Sequence, residues 1–427
     1  MSNIRIPNGN QRIEKMMERA EADCAQAFAR VDAIEKTNTR RVISAFQEHR
    51  VSLRHFSGTT GYGYDDIGRD TLSRLFRDAL GAEDAVVRPQ ITCGTHALAI
   101  CLYAVLRPGD EMLAAAGKPY DTLEEVIGLT GTSGQGSLKD FGIGYRQAEL
   151  TPEGKLDMRA IFDQMTPQVK LVLIQRSRGY AWRPSLSVGE INDAIDAIHA
   201  VRPDICVMVD NCYGEFTDAQ EPRADIMAGS LIKNPGGGIA PTGGYVAGKK
   251  EFVEKAVCRL NAPGIGGEVG SYSAGYQSFY QGLFLAPHTV AQALKSAILA
   301  ARAFQLAGFD VNPAYDAPRN DIIQAIGLRS PERLIRFIQA IQMCSPVDSE
   351  ALPEPWDMPG YQNKVIMAAG TFVAGASIEL SADAPIREPY AAYLQGALTY
   401  QHGRMALEGA LSLLADEGLL EEVAESR

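Results

Sequence analysis

The stretch that decides the fold runs from Ala224 to Gly248, ADIMAGSLIKNPGGGIAPTGGYVAG. It holds a single lysine, Lys233, after a run of small residues and before three consecutive glycines. A lysine in an apolar, glycine-rich turn keeps little of its hydration. That lowers its pKa and makes it a candidate Schiff-base amine rather than a surface charge. The glycines that follow read as room for the amine to swing.

Working outward, KLVLIQRSRGYAWRP carries a continuous apolar run of the kind found in a doubly covered parallel strand, with Arg176 and Arg178 at its exit. ICVMVDNCYGEF repeats the plan and ends in a carboxylate, Asp210, which is costly to bury unless paired. Upstream, a strand-like AVVRPQI leads into TCGTHALAICLYAVL, a helix whose N-terminus falls at Thr92 to Thr95. Unpaired backbone N–H groups and the helix dipole make such an end an anion site, and Gly94 lets an anion approach the backbone. Taken alone, the segment reads rather as an ordinary capped helix start. Cys93 and His96, two ligands without partner spacing, are a weak sign of metal, and no metal is assigned. In GKPYDTLEEVIG, Tyr120 stands in the loop before a helix capped by Asp121, where α/β ligands sit. The alternation of strands and helices from 85 to 250 predicts a mostly parallel sheet. GGYVAGKK has the spacing of a phosphate loop, but Lys250 occupies the required Ser/Thr position and the motif is rejected.

The flanks are organised around this core. Apolar positions at 13, 17, 20, 24, 27, 31 and 34 form a heptad seam on a helix, with Asn38 as a stop. Glycines at 58, 61, 63 and 68 then interrupt regular structure until a helix begins near Asp70, its N-cap. Tyr62 and Tyr64 stand in that loop, which cannot bury them locally. The stretch from Arg259 to His288, dense in Gly, Ser and Tyr, resembles a binding or inter-subunit loop, and VAQALKSAILAARAFQLAGF after it reads as a long apolar helix. Residues 312–320 link into a smaller α+β unit. Its strands are DIIQAIGL, KVIMAAG and ASIEL, its helix is PERLIRFIQAIQMC, and a last helix runs from Pro389 to Glu417. Arg387 lies within it in a Pro-bounded loop. The expected domains are an N-terminal helical segment (1–60), a large domain (61–315) and a small C-terminal domain (316–427).

A length of 427 residues supports a large core and two domains. The net charge of -11 leaves no basic excess to neutralise phosphates, so nucleic acid and anionic membrane surfaces are excluded as partners. No apolar run approaches the roughly 18 residues of a membrane span. The polar N-terminus lacks the apolar core of a secretion signal, so a cytoplasmic location is expected. Seven cysteines without CxxC pairing read as reduced thiols.

Asp210 after a buried strand, with Ser230-Leu-Ile-Lys233 downstream, resembles the fold type I pyridoxal-phosphate enzymes of cysteine and methionine metabolism. GKPYDTLEEVIG, GSLIKNPGGGIAPTGGY and GASIELSADAPIREPY look like signatures of the methionine gamma-lyase-like family, also labelled aluminium resistance proteins. The resemblance implies an α/β fold with a large, mostly parallel sheet and a smaller α+β domain, and pyridoxal 5'-phosphate as cofactor. Lys233 would be the aldimine lysine, and Asp210 would pair with the pyridine nitrogen and strengthen the electron sink. Ser230 and the N–H groups of Gly94 and Thr95 would hold the phosphate, and Tyr120 would stack on the ring. Tyr62 or Tyr64 would reach the phosphate of a neighbouring subunit, which implies a homodimer or homotetramer. Arg387 would grip the carboxylate of a small amino-acid substrate as a bidentate fork, with Arg178 as a second candidate. The implied reaction is β- or γ-elimination from a sulfur-containing amino acid. A pyridoxal-phosphate transferase and a non-catalytic binding protein are the alternatives. Ser230-x-x-Lys233 as an acylating serine with a lysine base also needs SDN and KTG elements, and neither string occurs.

Overall fold

The computed structural model describes residues 10–358 and 363–420. They form two compact units, one of residues 36–179 and 183–287, the other of the chain up to residue 35, residues 180–182 and residue 288 onward. Neither unit is continuous in sequence, so they do not coincide with the ranges 1–60, 61–315 and 316–427.

The chain opens with α1 (Gln11–Glu48), which continues ten residues past Asn38. The expected stop is therefore wrong, and the reason is local. Asn38 occupies the buried seam, and its amide donates to the carbonyls of Phe216 (3.1 Å) and Asp218 (2.9 Å), so a residue that usually ends helices is satisfied inside one. At the other end of the seam Ile13, Met17 and Ala20 join a core cluster of the chain's own residues.

In the larger unit α2 (Ile67–Leu80) is followed by β1 (Asp84–Arg88), α3 (Gly94–Val105) and β2 (Glu111–Ala114). Next come α4 (Asp121–Ile127), β3 (Gly144–Gln147), α5 (Met158–Gln164), β4 (Val169–Gln175) and α6 (Val188–Val201). Then β5 (Cys206–Asp210), β6 (Ile226–Ser230), β7 (Gly244–Gly248) and α7 (Lys250–Leu260) complete it. The seven strands are ordered β1-β7-β6-β5-β4-β2-β3. β5, β4, β2 and β3 run parallel to β6, while β7 is antiparallel to both β1 and β6. Every residue of β5, β6 and β7 is buried, as strands covered on both faces must be. GGYVAGKK is thus a central strand running into a helix, which disposes of the phosphate-loop spacing.

Two helix starts differ from expectation. Asp66, not Asp70, caps α2, accepting the Arg69 N–H at 2.9 Å and the Tyr276 hydroxyl at 2.8 Å. Gly68, which reads as a breaker, lies inside α2, where the His55 carbonyl and the Tyr276 ring leave no room for a side chain. Tyr120 rather than Asp121 occupies the N-cap position of α4.

α8 (Gln277–Leu306) begins in the larger unit and ends in the second, where β8 (Asp310–Asn312), β9 (Gln324–Gly327), α9 (Pro331–Met343) and β10 (Val365–Ala368) follow. β11 (Ser381–Pro385), β12 (Ala391–Gln395) and α10 (Tyr400–Asp416) follow. Its five strands, ordered β10-β11-β12-β9-β8, are antiparallel throughout. ASIEL is not a strand: the Glu379 carboxylate accepts the N–H groups of Phe372 and Val373, both at 2.9 Å, and ties the segment into turns. The helix expected from Pro389 starts only at Tyr400, because AAYLQ pairs as β12 between β11 and β9. α8 begins inside the Gly/Ser/Tyr-rich stretch. Tyr276, Phe279, Tyr280 and Leu283 are all buried, at helical spacing that the small residues between them disguise. By length and composition α8 could cross a membrane, contrary to the expectation that no segment could, yet 72% of its most apolar stretch is buried within the protein.

Candidate functional site

β5 and β6 are parallel neighbours, so Asp210 and Ser230 emerge at the same edge of the sheet, where α/β folds place their ligands. The chain leaves β6 through Leu231 and Ile232 to Lys233, which enters a short turn at Asn234–Gly236. The N-terminus of α3 faces this loop. A methyl group placed on Gly94 would lie 3.3 Å from Cys212 Sγ, 3.6 Å from Ser230 Cβ and 4.0 Å from Lys233 Nζ. Residues separated by more than a hundred positions thus line one cradle, kept open by the missing side chain of Gly94.

Lys233 Nζ sits 4.1 Å from the centroid of the Tyr213 ring, a cation–π distance. Tyr213 has φ of 71°, in the left-handed region that non-glycine residues rarely occupy. Asn234, next to the lysine, holds that turn by donating to the carbonyls of Tyr213 (3.0 Å) and Glu215 (2.9 Å). Sequence reasoning missed Tyr213 and Glu215, although both lie in DNCYGEF directly after the singled-out carboxylate.

Burial disfavours the Lys233 ammonium, but the surrounding Cys212, Tyr213, Asp210 and Glu215 outweigh it and hold the lysine pKa above its ordinary value. The lowered pKa expected from the glycine-rich turn is not found, since that expectation omitted the acidic groups brought in by the tyrosine-bearing turn. Nor do the glycines make room for the amine. A side chain on Gly236 would overlap the Leu231 carbonyl, and one on Gly237 the Gly282 carbonyl, so they serve close backbone packing. Asp210 accepts the Cys212 N–H at 3.1 Å, and burial raises its pKa against the pull of Lys233.

The other predicted residues fall in four groups. Thr95 Oγ1 meets Thr122 Oγ1 at 2.8 Å, joining the starts of α3 and α4. Tyr120 donates its backbone N–H to Gln175 Oε1 at 2.7 Å, and its ring packs against Gly179, beside the buried Arg178. Tyr62 and Tyr64 stack on each other with centroids 5.5 Å apart and are 71% and 60% exposed. Their loop is tied down by Gly270 N–H to the Tyr62 carbonyl at 3.1 Å and by Ser271 Oγ to the Gly61 carbonyl at 2.7 Å. Arg387 belongs to the second unit, where it is exposed in the connection from β11 to β12.

The uncharacterized protein YnbB of Bacillus subtilis is 50% identical over 411 residues, 96% of this chain and 98% of its own length. The crystal structure of a carbon-sulfur lyase involved in aluminium resistance from Clostridium novyi matches with a TM-score of 0.91 at 50% identity, covering 95% of this chain and 96% of that one. Cystathionine gamma synthase from Xanthomonas oryzae, solved with aminoacrylate and cysteine, matches with a TM-score of 0.58 at 16% identity over 90% of this chain and 98% of that one. That likeness is one of fold, the type I architecture of pyridoxal-phosphate enzymes. A family profile for methionine gamma-lyase matches residues 13–415, and the chain belongs to that family.

Proposed function

We propose that the chain is a pyridoxal-phosphate-dependent carbon–sulfur lyase that eliminates a thiol from a sulfur-containing amino acid. The observation that carries this reading is the meeting of Lys233 Nζ, Ser230 and Cys212 around Gly94 at the strand edge that also presents Asp210. That set fits the cofactor. Lys233 Nζ would anchor it covalently, Ser230 and the N–H groups of Gly94 and Thr95 would receive its phosphate at the start of α3, and Asp210 would face its ring nitrogen. Tyr120 would cover one ring face. When bound, the cofactor withdraws electrons from the substrate Cα so that a β- or γ-substituent can leave.

The chain's own groups do the rest. Lys233 Nζ, freed when substrate displaces it, takes the Cα proton as general base. Burial makes the Asp210 carboxylate costly unless it is paired with a cation, and a protonated ring nitrogen would supply that charge. Arg387 and Arg178 are the proposed carboxylate grips. Tyr62 or Tyr64 is proposed to complete the site of a second copy, since exposed stacked tyrosines on a tied loop suit contact with a partner subunit. The products are a keto acid, ammonia and a thiol.

The test is colour and covalency. The purified protein should be yellow, borohydride should fix the chromophore on the Lys233 peptide, and Lys233→Ala should remove both the colour and the release of keto acid and thiol from a panel of sulfur amino acids. A normally folded wild-type protein that stays colourless in excess pyridoxal phosphate sinks the reading.

A further inference from the structure

The ring proposed to cover the cofactor is aimed by a side chain from another strand. Tyr120 occupies the N-cap position of α4 with φ of -55° and ψ of 142°. Both of its backbone polar groups are engaged: the N–H donates to Gln175 Oε1 at 2.7 Å, and the carbonyl accepts the Leu123 N–H at 2.8 Å. The direction of its Cα–Cβ bond is thereby fixed. The loop is closed on its own helix by Lys118 Nζ, 2.7 Å from the buried Glu124 carboxylate, and joined to α3 by Thr122 and Thr95 at 2.8 Å. Gln175 ties it to the end of β4.

Gln175 is the last residue of β4 and stands in register with Asp210, the last residue of β5. Paired residues of neighbouring strands project to the same side of a sheet, so these two side chains leave it together. Both ends of the glutamine amide are used. Oε1 takes the Tyr120 N–H, and Nε2 donates at 3.1 Å to the Ser177 carbonyl, which also accepts from Arg183 at 2.6 Å. An N–H on one side and a carbonyl on the other leave the amide a single orientation. Gly179 closes the far side. Its φ of 56° lies in the left-handed region, and a Cβ there would stand 3.2 Å from Tyr120 Cδ2 and 3.5 Å from Gln175 Nε2. The missing side chain admits the tyrosine ring beside the amide.

We propose that Gln175 is a positioning residue, its carboxamide setting where the Tyr120 ring lies relative to Asp210. The inference rests on the cofactor reading above and deepens it. Asp210 and Tyr120, the groups assigned to the nitrogen and the face of the cofactor ring, are held from adjacent strands of one sheet. A loop that slipped from Gln175 would keep its tyrosine but lose the ring's aim.

The test is a double-mutant cycle read by spectroscopic titration with pyridoxal phosphate. Gln175→Met keeps the length of the side chain but removes both hydrogen bonds, and should weaken uptake about five-fold, the worth of one such bond. In a Tyr120→Ala background, where no ring is left to place, the same change should weaken it by no more than about two-fold. Gly179→Ala, which presses a methyl group on the ring, should follow the same pattern, and it replaces Gln175→Met should that variant fail to fold. Without cofactor, the Tyr120 amide should exchange its hydrogen about ten-fold faster in Gln175→Met than in the wild type. Equal losses in the two backgrounds, as a purely structural role would give, overturn the proposal, and so does unchanged exchange at Tyr120. A wild-type chain that takes up no pyridoxal phosphate overturns the lyase reading and this inference together, whereas normal uptake with additive losses overturns this inference alone.

Discussion

The acidic groups around Lys233 raise its pKa against the effect of burial, and the shape of its cradle comes from an atom that is missing. Gly94 presents a hydrogen where any other residue would point a Cβ at Cys212, Ser230 and the lysine. Alanine would sit tightly at 3.3 Å from Cys212 Sγ, and the branched valine would fill the cradle. Gly94→Val, in the half-buried first turn of α3, is therefore expected to bind pyridoxal phosphate at least ten-fold more weakly by spectroscopic titration. Unchanged affinity would remove Gly94 from the site. At this scale the identities of Lys233, Asp210 and Ser230 are legible in the sequence because their spacing around two buried strands is distinctive. Tyr213 and Glu215 are not, because a tyrosine in the left-handed region and a carboxyl aimed inward look like any other loop residues until Asn234 and Tyr245 fix them.

Among the elements, the apolar runs of β4 and β5 and the helix between them follow from local pattern, as does the seam of α1. What pattern misreads is where polar and small residues are satisfied by distant partners. Asn38 is the plainest case, a buried amide inside α1 whose two acceptors lie about 180 positions downstream. Asn38→Ala leaves the Phe216 and Asp218 carbonyls without these donors. It should destabilise the protein by about 1–3 kcal/mol in urea unfolding. A change within error would mean that water replaces the amide at no loss. Gly68 and the AAYLQ strand make the same point in opposite directions, a breaker kept in a helix by packing and an alanine-rich segment drawn into a sheet by its neighbours.

At the scale of the molecule, Gly94, Thr95, Tyr120, Arg178, Asp210, Ser230 and Lys233 all belong to the unit built on the seven-stranded sheet, whereas Arg387 belongs to the other. Cofactor binding should therefore stabilise the first unit directly. With pyridoxal phosphate at a hundred times its dissociation constant the gain is about 2.7 kcal/mol. Hydrogen exchange should slow at residues 94–95 and 210–233 in the presence of pyridoxal phosphate, and Lys233→Ala should lose most of that protection. Equal slowing around Arg387 would show that the cofactor acts on both units alike. The sequence by itself determined the family, the mostly parallel sheet and the lysine, aspartate and serine proposed for the site, because hydrophobic periodicity and motif spacing are local properties of the chain. Only the tertiary structure decided the electrostatic surroundings of Lys233, the ring beneath it and the close backbone packing of the glycines that follow it. Burial, electrostatic balance and close backbone contact are sums over residues that the chain brings together only when it folds.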